Sequence, residues 1–161
     1  MKRKLSLRWI ALLLTLLTAV CLLTPALAKQ KTITLYAQDY PVEEGGSYTS
    51  MEEVAVYLSL FEKLPDNFIT KNEAEKLGWD NRKGNLSQVA PGCSIGGTYF
   101  GNYEKLLPTA KGRKWTECDV NYTGGYRGGE RLVFSSDGLL YYSNDHYNSF
   151  TRIVIKEGGK K

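Results

Sequence analysis

The chain has a single histidine, few cysteines and no apolar run as long as a membrane-spanning helix, and these shortages exclude several classes of protein. Its 161 residues include one His and three Cys. No Ser-His-Asp order and no metal motif is present, and Gly96-Gly97 lacks the Gly-Lys-Ser/Thr that completes a P-loop. With 42% hydrophobic, 12% aromatic and 24% charged residues, collagen-like and disordered chains are excluded as well. We therefore predict one globular domain that needs neither a metal nor a cofactor.

The first 28 residues have the pattern of a signal peptide. A cationic start at residues 2–8 precedes an apolar run at residues 9–23, and Ala26-Leu27-Ala28 supplies small residues at the cleavage position. The apolar run is shorter than the roughly 20 residues of a membrane-spanning helix, which disfavours an anchor. A lipoprotein attached at Cys21 is a weaker alternative still. We predict cleavage after Ala28 and a secreted, extracellular protein without a membrane attachment.

The positive charge of the chain belongs to this leading segment. The whole chain has 21 Lys and Arg against 17 Asp and Glu. Four basic residues and no acidic ones precede Lys29, so the exported part is formally neutral. An affinity for nucleic acid must therefore come from local clusters of charge and not from net charge.

Two cysteines, Cys93 and Cys118, remain after signal cleavage. In an oxidising compartment an even pair favours a disulfide, worth roughly 3 kcal/mol in the chain-entropy model. The alternatives are two reduced buried thiols or a metal site. The metal site is disfavoured, because two Cys and one His do not complete a structural zinc shell.

Capping patterns predict three helices in the first half of the exported chain. Ser50 stands three residues before Glu53, and Thr70 stands three residues before Glu73, so each pair forms a capping box. Asn85 begins a third, shorter pattern.

From residue 94 onward the pattern changes to short strands. They are predicted at residues 95–100, 115–121, 131–135, 139–143 and 150–155. Asp137-Gly138 predicts a tight hairpin between two of them. Helices followed by strands predict an α+β fold, in which the N-terminal helices pack on one face of a five-stranded antiparallel sheet.

The predicted elements divide the chain into four segments. The signal peptide occupies residues 1–28, and residues 29–49 are predicted to be a pro-segment or flexible arm because Pro and Gly follow a short β-prone run. The folded domain occupies residues 50–155. Residues 156–161 form a polar tail that we expect to fray.

Two residues are candidates for acid and base chemistry. His146 lies in a polar loop between two strands, where an imidazole is accessible and titrates near neutral pH. Glu117 shares one strand face with Trp115 and Asp119, because side chains alternate along a strand. The alternatives are a structural histidine and a solvated strand.

Arg127 and Arg131 are candidates for binding an anion. They flank a Gly-Gly turn, and arginine binds phosphate through two parallel hydrogen bonds. The alternative is ordinary surface charge. Together with Glu117 and His146 they suggest metal-free acid and base chemistry on an anion, although spacing alone does not bring the four residues together.

Longer blocks of sequence carry a more specific signal. They stand at residues 63–71, 77–79, 83–86, 89–92, 94–97, 119–123, 135–137 and 145–147. In this order they resemble the barnase family of secreted bacterial guanyl-preferring ribonucleases. The resemblance spans roughly residues 50–155 without gaps.

The resemblance implies a role for each candidate residue. Glu117 corresponds to the general base of the family and His146 to its general acid. The residues that correspond to its phosphate-binding cations are Lys71, Arg127 and Arg131. The implied reaction is cleavage of single-stranded RNA to a 2′,3′-cyclic phosphate and then hydrolysis, with no cofactor.

The resemblance also implies a guanine site at Phe100-Gly101-Asn102-Tyr103-Glu104. Backbone amides of this loop would bind guanine O6, Glu104 would accept from the ring N–H groups, and Tyr147 would line the base site. Gly101 and Tyr103 stand where the family has Ser and Arg. We expect a looser loop, one cation fewer and a ring that can stack on a base.

RNA is the implied substrate partner, and an acidic intracellular inhibitor of the barstar type is an implied protein partner. The resemblance further implies a monomer. The competing hypothesis is a secreted, non-catalytic module of the same fold that binds RNA or protein. Joint retention of Glu117 and His146 favours the enzyme, because a binding module needs neither an acid nor a base.

Overall fold

The fold is built on one mixed β-sheet and three helices. The computed structural model describes residues 30–158. The helices are Met51–Phe61 (α1), Lys71–Lys76 (α2) and Leu86–Val89 (α3). The strands are Thr32–Tyr36 (β1), Phe68–Ile69 (β2), Ser94–Phe100 (β3), Trp115–Asp119 (β4), Arg131–Ser135 (β5), Leu140–Ser143 (β6) and Thr151–Lys156 (β7). They hydrogen bond in the order β1-β7-β6-β5-β4-β3-β2.

The prediction of a five-stranded antiparallel sheet is wrong, because the sheet has seven strands and is mixed. The five predicted strands are β3 to β7, which pair antiparallel. β1 and β2 each add a parallel strand at one edge. β2 has only two residues, too few to produce a recognisable alternation. The α+β class itself agrees with the structure.

The helix starts follow the predicted caps with two differences. Thr70 and Glu73 form the full capping box, whereas at Ser50 only half of it forms: the Ser50 side chain accepts from the backbone of Glu53, and the Glu53 carboxylate accepts from the Ser50 hydroxyl. Asn85 does precede α3, yet its side chain makes no capping bond there. Its Oδ1 instead accepts from the backbone N–H of Asp80 at 2.8 Å, so Asn85 fixes the preceding turn.

Alternation along the strands separates two apolar layers. The face against α1 forms the main core, which includes Val54, Cys118, Leu132 and Ile153. The opposite face carries Leu107, Trp115, Val133 and Tyr141. A smaller cluster around Leu86 and Ile95 packs under α2 and α3. The sheet is therefore covered on its α1 face, and its other face is free to carry polar groups between the apolar ones.

The segment assigned to a pro-segment or flexible arm contains β1. Residues 32–36 pair in parallel with residues 152–156 of β7. Leu35 is buried in the main core, and Tyr48 packs against that core. Removal of this segment during maturation stays a prediction. The predicted signal peptide at residues 1–28 lies outside the described residues, as does the end of the polar tail.

The predicted disulfide is not formed in the structure, where both cysteines are free. Cys118 lies on β4 and faces the main core, whereas Cys93 packs against the small cluster under α2 and α3. The two thiols therefore belong to different packing layers. Burial raises the pKa of Cys118 far above its usual range, so this thiol stays protonated.

Within residues 30–158, no helix is long and apolar enough to cross a membrane.

Candidate active site

The central strands place acidic and basic side chains on the sheet face opposite α1. On β4, Glu117 and Asp119 share this face with Trp115. On β5, Arg131 is the cross-strand partner of Asp119, and Val133 is the partner of Glu117. The apolar neighbours exclude water from these charged side chains. The contacts among the charged groups therefore determine the chemistry that this face can support.

Glu117 is a buried carboxylate with both oxygens engaged. Its relative exposure is 7%. Oε1 lies 2.9 Å from Nζ of Lys71, and Oε2 accepts a hydrogen bond from the hydroxyl of Tyr147. The ammonium and the hydroxyl hold the carboxylate in one orientation on the sheet surface. A fixed carboxylate of this kind can accept a proton from a bound hydroxyl.

The start of α2 positions Lys71. Thr70 caps the helix, and Lys71 is the first residue after the cap. The capping box fixes the direction in which the chain enters this short helix. The Lys71 side chain keeps 38% of its surface exposed, so it contacts Glu117 and still reaches solvent.

Asp119 holds the two predicted arginines together. Asp119 is buried, with 2% of the residue exposed, and its carboxylate accepts two hydrogen bonds of 2.6 Å from Arg127. Nε of Arg131 lies 3.0 Å from the same carboxylate. Burial lowers the pKa of Arg127, but the hydrogen bond and charge of Asp119 outweigh it and raise the pKa overall. Burial dominates at Arg131 and lowers its pKa, although a guanidinium stays charged at neutral pH.

Two backbone carbonyls and an aromatic ring surround the guanidinium of Arg131. Nη1 donates to the carbonyls of Gly128 and Glu130 at 2.8 and 2.7 Å. The guanidinium also lies 6.0 Å from the ring centroid of Tyr147. Because Tyr147 bonds to Glu117, this contact joins the arginine pair to the buried carboxylate.

His146 lies in the loop after β6, which combines positive φ angles with several stabilising hydrogen bonds. His146 and Tyr147 both adopt positive φ angles, 55° and 73°. The backbone of His146 donates to Gly129 at 3.2 Å. Asp145 accepts from the hydroxyl of Ser149 at 2.6 Å, and the Ser149 hydrogen bonds hold the pKa of Asp145 below its usual range. The exposed imidazole lies 5.1 Å from the Tyr147 ring, centroid to centroid.

The predicted guanine loop follows β3 beside this group. Asn102 adopts a positive φ of 45°, and its side chain donates to Leu107 O at 2.8 Å and accepts from Leu107 N at 2.9 Å. The Phe100 ring lies 5.2 Å from Tyr147. Tyr103 and Glu104 point their side chains into solvent. The base of the loop is therefore fixed, and its tip is open.

An open cleft of about 600 Å³ lies beside two of these cations. Lys71 and Arg127 line it together with Trp79, Asp80 and Arg82. The guanidinium of Arg127 lies 5.8 Å from the Trp79 ring. Its lining therefore combines three cations with two carboxylates and an aromatic ring.

The structure brings most of the predicted residues into one connected group. The group consists of Glu117, Lys71, Tyr147, Arg131, Arg127 and His146, with Phe100 packed against it. Tyr103 and Glu104 stand apart at the loop tip.

Sequence reasoning missed two connections. It placed Asp119 on the correct face but gave it no role, although the alternation with Glu117 and the two nearby arginines were the available signal. It assigned Tyr147 to the base site, whereas the structure also bonds its hydroxyl to Glu117. A tertiary contact across 30 residues leaves no local sequence signal.

Sequence comparison identifies the family to which the chain belongs. Residues 51–154 match the sequence model of the ribonuclease family. The chain belongs to the microbial ribonuclease family. It is 55% identical over 104 residues to the ribonucleases of Bacillus intermedius and Bacillus pumilus, a match that covers 65% of this chain and 64% of each relative. The matched region thus spans slightly less than two thirds of those relatives.

Two further similarities come from a shorter relative and a solved structure. The ribonuclease of Heyndrickxia coagulans is 54% identical over 104 residues, with 95% of its length covered. A crystal structure of ribonuclease Sa2 with guanosine-2'-cyclophosphate is 34% identical, covering 38% of this chain and 65% of that one, with a TM-score of 0.35. The family match over residues 51–154 and the 55% identity to the Bacillus ribonucleases confirm the family resemblance seen in the sequence. β1 lies outside the matched residues.

Proposed function

We propose that this chain is an extracellular endoribonuclease that cleaves single-stranded RNA, preferentially after guanosine. The observation that supports this most is the buried carboxylate of Glu117, whose two oxygens contact Lys71 and Tyr147 beside an arginine pair anchored on Asp119. A base next to fixed cations suits attack on a phosphate diester.

In the first step Glu117 accepts the proton of the ribose 2′-hydroxyl. The 2′-oxygen forms a bond to the adjacent phosphorus, and the bond from phosphorus to the 5′-oxygen of the next nucleotide breaks. His146, protonated, donates its proton to that departing oxygen. The products are a 2′,3′-cyclic phosphate and a free 5′-hydroxyl.

In the second step the two roles are exchanged. Neutral His146 accepts a proton from water, which attacks the cyclic phosphate, and protonated Glu117 donates to the departing 2′-oxygen. Both residues then return to their starting protonation states, and the product carries a 3′-phosphate. DNA lacks the 2′-hydroxyl, so the first step excludes it as a substrate.

The cations would stabilise the negative charge that builds up on the phosphorus centre. Arg127 and Arg131 are already oriented by Asp119, so little reorganisation is needed when the charge develops. Lys71 contacts Glu117 and remains partly exposed, which lets it reach a phosphate oxygen as well.

Guanine preference would come from the loop at residues 100–104. Its backbone is held at Asn102, so its N–H groups are presented in one arrangement. Glu104 supplies the carboxylate for the ring N–H groups. Phe100 packs against Tyr147, which would place the base beside the catalytic residues.

Export, assembly and inhibition complete the proposal. The signal peptide would be removed after Ala28, and the domain would act outside the cell as a monomer. An acidic protein of the barstar type would protect the cytoplasm by covering the cationic cleft. A formally neutral exported chain predicts a weaker salt dependence of that association than a strongly basic one would show.

The test is cleavage of matched GpU and ApU dinucleotides in EDTA by the wild type, Glu117→Ala and His146→Ala. The proposal predicts faster cleavage of GpU, with the rate strongly reduced in Glu117→Ala and lost in His146→Ala. Equal cleavage of both substrates would refute the guanine site. Binding of longer RNA without any cleavage would instead support the non-catalytic module.

A further inference from the structure

A second cleft, separate from the catalytic group, lies at the start of the loop after β3. It has a volume of about 300 Å³, and its lining includes Tyr99, Tyr103, Lys105, Arg113 and Trp115. None of the groups proposed to act on the phosphate lines it. It shares Gly101, Asn102 and Tyr103 with the proposed guanine loop.

Two tyrosines provide exposed aromatic surface at this cleft. Tyr99 keeps 65% of its surface exposed and Tyr103 keeps 83%. β2 pairs with β3 only at residues 94–95, so β3 is a free edge where Tyr99 stands. Large aromatic side chains cost free energy when left in water, so two of them beside one cleft suggest a planar ligand.

The exposed Tyr103 ring lies beside Gly101. An added Cβ at position 101 would stand 2.2 Å from Cε2 of Tyr103, so a larger residue there would move the ring. Both residues line the cleft, and both depart from the family pattern.

The charged side chains that line the cleft, Lys105 and Arg113, are both positive. Among the described residues, no carboxylate lines it, and Lys105 forms no ion pair. Arg113 is fixed by Asp137 and packs 5.8 Å from the Trp115 ring, so it forms a rigid wall. Exposed aromatic rings next to a free ammonium match a nucleobase and its phosphate.

We propose that this cleft binds the nucleotide on the 5′ side of the reacting guanosine, with its base against Tyr99 and its phosphate near Lys105. The inference rests on the proposed function, because it takes the guanosine at residues 100–104 as its reference point. The scissile bond lies on the 3′ side of that guanosine, towards Glu117. The 5′ side of the RNA must leave the loop in another direction, where this cleft is available.

The test compares the dinucleotide GpU with the trinucleotide ApGpU. Wild type should show a higher kcat/KM on ApGpU than on GpU. Tyr99→Ala should lower kcat/KM on ApGpU about 10-fold, the scale of one base stacked on an aromatic ring, and leave GpU unchanged. Tyr99→Phe should keep the wild-type value, because the ring and not the hydroxyl makes the contact.

Tyr36→Ala is the matched control, since Tyr36 is an exposed tyrosine on β1 outside the cleft. It should change neither substrate. An equal effect of Tyr99→Ala on both substrates, or no effect on either, would overturn the inference.

A binding measurement separates this inference from the proposed function. The probe is ApGpU with 2′-deoxyguanosine in the middle, which lacks the attacking hydroxyl, and calorimetry measures its affinity. Tyr99→Ala should weaken binding of this trinucleotide about 10-fold and leave the corresponding dinucleotide unaffected. Weakened binding supports the cleft even if the wild type cleaves nothing, whereas unchanged binding refutes it even if cleavage is normal.

Discussion

Replacing Asp119 by Asn should strongly destabilise the domain, because two arginines would lose the carboxylate that they share. Asp119 makes two hydrogen bonds of 2.6 Å to Arg127 and an ion pair of 3.0 Å to Arg131. The side chains of Asp119 and Arg131 are each 3% exposed, and that of Arg127 is 12% exposed. Asn has nearly the same volume, so the substitution removes a charge without creating a cavity.

The size of the stability loss follows from the guanidinium groups of Arg127 and Arg131, which would remain buried without their carboxylate. Breaking a buried ion pair by removing one partner costs about 3–5 kcal/mol, because the other charge stays buried without compensation. Total stabilities of small domains are about 5–15 kcal/mol. Asp119→Asn should therefore lose a large share of the free energy of unfolding, measured by urea denaturation at pH 7.

The chain offers a matched control in Asp137, which binds Arg113 through both carboxylate oxygens, as Asp119 binds Arg127. Arg113 donates to both Asp137 oxygens, at 2.8 and 3.0 Å from Nε, but the Asp137 side chain is 47% exposed. Solvent screens such a pair, so Asp137→Asn should cost far less than Asp119→Asn. Equal losses in the two variants would refute the argument that burial of Asp119 sets the cost.

Three further predictions concern packing, a helix end and pH. Leu35→Ala should lower the free energy of unfolding by about 2–4 kcal/mol in urea denaturation, whereas Thr34→Ala, at an exposed position, should hardly change it. Equal effects of the two substitutions would show that β1 does not pack on the core. Glu62, at the end of α1, adopts a left-handed φ of 54°, which glycine adopts without strain. Glu62→Gly should therefore raise the free energy of unfolding by about 1 kcal/mol, and a decrease would contradict backbone strain at this position. Hydrogen bonds from Arg113 lower the pKa of Asp137 from 3.8 to about 2. Its stabilisation is present above pH 4 and falls towards pH 2, so wild type and Asp137→Asn should differ in stability at pH 7 and converge at pH 2.

The sequence predicted those parts of the fold that local patterns determine. Capping side chains at Ser50 and Thr70 mark helix starts through bonds to residues three positions away, so they are visible in a short window. The antiparallel strands β3 to β7 each carry enough alternation to be recognised. β2 is too short for that, and β1 pairs with β7 across more than 100 residues, so neither parallel edge could be predicted.

The site shows the same division between local and distant information. Strand alternation placed Glu117 and Asp119 on one face, and the single histidine in a polar loop made His146 a candidate. Lys71 came only from the family resemblance. The bond from Tyr147 to Glu117 depends on two positive φ angles in the loop after β6. The predicted disulfide is not formed, since Cys118 faces the main core and Cys93 packs against the smaller cluster under α2 and α3. Export favours oxidation but carries no information on whether two cysteines share a packing layer.

The most direct test of the account is to follow the products of GpU cleavage over time in the wild type and in Glu117→Gln. Chromatography separates guanosine 2′,3′-cyclic phosphate from guanosine 3′-phosphate. We predict that the cyclic phosphate forms first and is then hydrolysed, and that Glu117→Gln slows its formation by about 100-fold or more, the contribution expected of a positioned general base. Direct release of the 3′-phosphate without a cyclic intermediate, or cyclisation by Glu117→Gln at the wild-type rate, would contradict the account.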